Sequence, residues 1–250
     1  GRPTERPPVP KTLDWNLWLG PAPKRPFHTA YVPVYWRGWW DFGTGAMGDM
    51  GCHIVDHPIW ALNLGSPTAV EAFNTLDGSE LDGKPNRETY PIASVIHYEF
   101  PARGKRPPVR MTWHEGGLMP PTPAELPAGE KLPESGVLYL GTKGKMYHSA
   151  HGGMPKLLPG ELHDEAQTVK KTMPRSPGHH SEWLLACKGE GTAMSNFSYS
   201  GPLTETVLLG VLAQRAPGQR LLWNGDNMKV KNHPELNQFV HKEYGKGWTL

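Results

Sequence analysis

The chain has 250 residues, 37% of them hydrophobic and 20% charged, with a formal net charge of +2. That length buries a substantial core in one large or two small domains. The scattered charge and the lack of an apolar run near ~18 residues argue against a nucleic-acid partner and a membrane span.

The predicted elements begin after GRPTERPPVP, a Pro-rich polar stretch that reads as a linker over residues 1–12. A short helix is expected near Leu13–Leu19, followed by an ordered, aromatic- and Pro-rich loop. Thr44 then caps a helix running from Gly45 to Leu64, kinked or restarted at Pro58 and stopped by Gly65. Strand patterns follow at 69–73, 93–100 and 109–115, with the basic stretch Arg103–Arg110 as a hairpin tip. Residues 136–149 form a hairpin turning at Gly141–Gly144. A loop-rich section leads to helices over 179–189 and 202–216, a strand over 219–224 and a last helix over 234–244. Strands in succession and helices gathered late predict an α+β fold: a large, mostly antiparallel sheet with helices packed on one face. Cys52 and Cys187 make no disulfide framework and no metal spacing, and read as small buried hydrophobes.

Chemistry concentrates in GTGAMGDMGCH, Gly43–His53. Gly43, Gly45 and Gly48 fit the G-x-G-x-x-G of a dinucleotide-binding turn, and Glu71 lies at about the right distance for its ribose-binding acid. The segment before the glycines, YWRGWWDF, carries Arg37, Gly38 and Asp41 where a doubly buried parallel strand would be Val, Ile and Leu. The second half of the stretch is more informative. Asp49, His53 and His57 recur every fourth residue, so on a helix they share one face, with Asp56 beside them. A carboxylate next to an imidazole suits a histidine that takes and returns a proton near neutral pH. A buried structural histidine, and a zinc site at i, i+4, i+8, are the competing readings of the same spacing.

The segment YWRGWWDFGTGAMGDMGCHIVDHPIWALNLGSP resembles the second, substrate-binding domain of the glucose–fructose oxidoreductase / inositol dehydrogenase (Gfo/Idh/MocA) family. The resemblance extends to LDWNLWLGPAP, TWHEGGLMPP, LYLGTKGKM, HHSEWLLACKGE and SNFSYSGPLTETVLLGVLA. It implies a domain over residues 13–250 that binds substrate and oligomerises through its sheet face, with NAD or NADP held by a Rossmann domain absent from this chain. It implies oxidation or reduction of a sugar or polyol hydroxyl, with His53 as acid/base and Asp49 orienting it. The Glu-Lys-Pro motif of the family's first domain is missing, so the chain alone is expected to be inactive, and its glycine fingerprint to be accidental.

Further candidates come from position. Trp39 and Trp40 are candidates to stack on a sugar ring, and Arg37 and Asp41 to hydrogen-bond its hydroxyls. His114, ending a strand, and His180, at a helix N-terminus, are candidates to reach the same cleft. The resemblance also leaves open an NAD-dependent glycoside hydrolase of the same family, and a non-catalytic carbohydrate-binding or oligomerisation module is a further alternative. The compartment, cytoplasmic or exported to a periplasm, stays open as well.

Overall fold

The computed structural model describes residues 2–75, 88–241, 244, 247 and 248. The fold is α+β, with every strand pair antiparallel among the described residues. The strands divide into a five-stranded sheet, ordered β3-β2-β1-β7-β8, and a three-stranded sheet, β4-β5-β6. The chain separates into two compact units. The first comprises Gly1–Cys52, Leu64–Leu118 and Thr206–Leu250; the second comprises His53–Asn63 and Met119–Glu205.

In the first unit, α1 (Trp15–Leu19) is capped by Asp14, whose side chain accepts from the Leu17 N–H at 2.9 Å. Trp15 and Leu19 turn into an aromatic cluster with Phe27, Tyr31 and Trp39. The five-stranded sheet is built from β1 (Ala69–Asn74), β2 (Ser94–Phe100), β3 (Val109–His114), β7 (Leu221–Asn224) and the short β8 (Lys229–Val230). Alternation along β2 is strict: Ser94, Ile96, Tyr98 and Phe100 are buried, and the residues between them are half-exposed. The basic stretch between β2 and β3 is a tight turn in which Arg103 and Arg106 exchange backbone hydrogen bonds, as its Gly and Pro content predicts. Helix α6 (Phe197–Ala213) meets β2 at Gly210, where an added Cβ would lie 1.9 Å from the Tyr98 hydroxyl. Only glycine permits that approach.

The second unit holds α3 (Asp56–Leu62), β4 (Gly136–Leu140), β5 (Lys145–Ser149), β6 (Gly152–Leu158), α4 (Glu161–Gln167) and α5 (His179–Cys187). The hairpin expected over 136–149 is present, closed by the Gly141 N–H donating to the Gly144 carbonyl at 2.9 Å. The segment 152–167 corrects the loop expectation by forming β6 and α4. Backbone pairing with β5 outweighs the low strand propensity of Gly152, Gly153 and Pro155.

The helix expected from Gly45 is two helices, α2 (Gly45–Ile54) and α3, broken at Val55. Pro58 falls in the first turn of α3, where a missing N–H costs nothing. Helix α6 begins five residues before the expected start and keeps Pro202 inside it. The last helix is a 3-10 helix, Pro234–Phe239, shorter than expected; residues 242 and 243 of that prediction lie outside the described residues. Cys52 and Cys187 are free and exposed rather than buried, because each sits on the solvent side of its helix.

Candidate active site

The glycines that open α2 are packed rather than open. A Cβ on Gly43 would come within 2.6 Å of the Arg37 backbone, one on Gly45 within 2.6 Å of the Tyr90 ring, and one on Gly48 within 1.9 Å of Thr44 Oγ1. Gly45 also has φ +64°, a left-handed conformation that favours glycine. Tyr90 secures the turn by donating its hydroxyl to the Gly43 carbonyl at 3.0 Å, and burial pushes that phenol's pKa up. The Cβ positions of all three glycines are therefore occupied by the chain's own atoms, and close packing of the turn accounts for these glycines without a dinucleotide.

On the same unit, Arg37 lies in the last turn of a 3-10 helix, Tyr35–Gly38, and its Nε donates to Asp49 Oδ1 at 2.8 Å. Its guanidinium carbon lies 4.7 Å over the Trp36 ring. Both members of the ion pair are about two-fifths exposed, so the pair orients Asp49 more than it stabilises the fold. Asp41 Oδ2 accepts from Arg25 Nε at 2.7 Å and from Arg2. That hydrogen bond is the main reason the Arg25 pKa is raised.

Trp39 is turned into the core, with its Nε1 donating to the Ala30 carbonyl at 3.0 Å. Trp40 is flanked by the Tyr90 ring, 3.6 Å between centroids, and by the Arg215 guanidinium 4.0 Å above it. Burial pulls the Arg215 pKa down. Both indoles are thus engaged in packing, and Trp18 and Trp36 line the neighbouring cleft in their place. His114 ends β3; burial and the neighbouring His97 of β2 lower its pKa.

In the second unit, His53 presents its ring to His151, 5.4 Å between centroids at 75°, and His57 meets His148 at 4.7 Å and 83°. His148 Nδ1 lies 2.8 Å from the Ser149 carbonyl and so is the donor there. That leaves its Nε2 facing the Tyr139 hydroxyl at 3.5 Å. Burial pushes the Tyr139 phenol up to about 12, which keeps it a donor. Asp56 accepts from the Tyr199 hydroxyl; burial first, and then Asp56, raise the Tyr199 pKa. His180 stands exposed at the start of α5 beside His179, 4.0 Å between centroids.

The sequence reading singled out neither His148, His151, Tyr139 nor Tyr199. The spacing of His148 and His151 at the β5–β6 turn was the available signal. Among the described residues, no group of three or more His, Cys, Asp or Glu is gathered to hold a metal ion.

His57 carries a pH prediction. Burial first, and then His148, lower its pKa below the ordinary 6.5, against Asp56 and the Ile54 backbone. The unfolded chain therefore binds that proton more readily. The stability it contributes is complete above about 6.5 and is lost as pH falls through that value. Thermal unfolding followed from pH 7.5 to 5.5 should show Tm falling in the wild type and falling less in His57→Asn. Equal slopes would remove His57 as the cause.

Residues 2–75 match the model of the oxidoreductase family, C-terminal alpha/beta domain (GFO_IDH_MocA_C2). The match supports a Gfo/Idh/MocA C-terminal domain. It spans the aromatic region, α2 and α3, and reaches β1, so the Gfo/Idh/MocA match includes Arg37, Asp49 and His53. No curated protein matches the chain. No helix among the described residues is long and apolar enough to cross a membrane.

Proposed function

We propose that this chain is the substrate-binding and acid/base part of an oxidoreductase acting on a sugar or polyol hydroxyl. His53 takes and returns the proton of the reacting hydroxyl, and Asp49, one turn earlier on α2, is held in orientation by Arg37. The observation that carries this reading is the oxidoreductase-family match over residues 2–75, which contains all three side chains. NAD or NADP is the cofactor, held outside these residues, since the glycines of the turn at Gly43–Gly48 are accounted for by packing against Arg37, Tyr90 and Thr44. The chain by itself is inactive, and assembles with copies of itself through its sheet face.

The test is the full-length protein incubated with NAD or NADP and a panel of sugars and polyols, following reduced cofactor and products together. Cofactor reduction with at least one substrate is the expected result. Release of free sugar without net reduction would move the reading to a glycoside hydrolase. No reaction with any substrate would leave a carbohydrate-binding or assembly module.

A further inference from the structure

We propose that the first unit carries a subsite for one pyranose ring in the cleft lined by Trp18, Leu19, Pro21, Trp36, Asp41 and Phe42. The cleft is open to one side and offers about 290 Å³, near the lower end for small-molecule sites and enough for a single ring. The proposal rests on the sugar substrate proposed above.

Its chemistry is that of a surface which recognises sugars. A pyranose offers a face of C–H groups and a rim of hydroxyls, so it needs an aromatic plane and a fixed polar acceptor. Trp18 is backed on one side by Trp15, stacked at 4.6 Å and 14°, and is braced edge-on by Phe42 at 5.3 Å. Trp36 is backed on one side by the Arg37 guanidinium. Each indole is thus backed by a neighbouring group, and both line the cleft. Asp41 supplies the acceptor. Arg2 and Arg25 both engage Oδ2, which fixes the carboxylate and leaves Oδ1 with no hydrogen-bond partner among the described residues. An acceptor-only oxygen held beside two aromatic rings is matched by a sugar hydroxyl.

The cleft is also tied to the chemistry proposed for α2. Arg37 covers Trp36 and binds Asp49, so a ring seated on the far face of Trp36 is linked to that carboxylate through two side chains, Trp36 and Arg37. The ligand is a hexopyranose, either a free sugar or the non-reacting ring of a larger glycan.

Isothermal titration of the full-length protein with free hexoses, methyl hexosides and disaccharides tests the subsite and separates the two sources. Trp36→Ala should weaken binding about tenfold, and Trp36→Phe, which keeps an aromatic plane, should recover most of it. Tighter binding of disaccharides than of hexoses assigns the cleft to a glycan, and equal binding assigns it to a free sugar. Saturation-transfer NMR on the wild type needs no variant, and should place the strongest transfer on the C–H face of the ring.

Equal affinity in wild type and Trp36→Ala, or no transfer to any sugar, overturns the subsite. Sugar binding that depends on Trp36 without turnover of any sugar would defeat the proposed function alone. Turnover whose KM is untouched by Trp36→Ala would defeat the subsite alone.

Discussion

Replacing His53 with alanine in the full-length protein should lower kcat on the proposed sugar or polyol substrate about 10²–10⁴-fold, the usual contribution of a positioned general acid or base. KM should change much less, because the imidazole acts on the transferring proton rather than on the bulk of substrate binding. Asp49→Asn should cost less than His53→Ala. The amide keeps the shape and an acceptor oxygen for Arg37 Nε, but loses the charge. Steady-state rates and product analysis on the three proteins check both points. Turnover unchanged in His53→Ala would remove the acid/base role, and with it the main chemical content of the proposal.

The second large effect concerns stability. Glu115, directly after β3, is buried, and its carboxylate is met by neutral donors. The Ser94 hydroxyl donates to Oε1 at 2.8 Å, Gln214 Nε2 to Oε1 at 2.6 Å, and Trp113 Nε1 to Oε2 at 2.8 Å. Gln214 also donates to Ser94 Oγ at 2.7 Å, and so ties α6's C-terminal end to β2 and β3.

Glu115→Ala would leave two or three of these donors buried without an acceptor, each costing about 1–3 kcal/mol. Net destabilisation of about 3–5 kcal/mol is expected, a drop in Tm on the order of 10 °C for a chain of this size. Glu115→Gln should fall between, since the amide keeps one acceptor and turns its NH₂ toward existing donors. Urea unfolding and calorimetry read both variants. A shift below about 2 °C in Glu115→Ala would mean that the network contributes little to stability.

Local signals in the sequence were good guides where one pattern decided the element. The alternation of Ser94, Ile96, Tyr98 and Phe100 belongs to β2, and Gly141–Gly144 turns the β4–β5 hairpin. They failed where partners decided it. Gly152, Gly153 and Pro155 argue against a strand, yet β5 supplies the ladder that makes one. Gly201 and Pro202 look like a helix start, yet α6 already runs through them from Phe197.

The candidate site divides in the same way. The helical spacing of Asp49 and His53 is a property of one segment, and α2 realises it. That Arg37 would hold Asp49, that Trp39 would be buried and Trp36 left beside a cleft, and that His151 would face His53 all depend on chain segments distant in sequence or on how a loop folds. Periodicity carries no information about such contacts.

The filled glycine turn at the start of α2 changes how substitutions there must be interpreted. Gly43, Gly45 and Gly48 lack side chains because Arg37, Tyr90 and Thr44 already occupy those volumes. A bulkier residue at any of them displaces a neighbour, and one of those neighbours, Arg37, bears on the proposed chemistry by orienting Asp49. Lost activity after such a change is then evidence about the posture of α2, not about a nucleotide. Here a signature of cofactor binding is the footprint of a tightly folded loop.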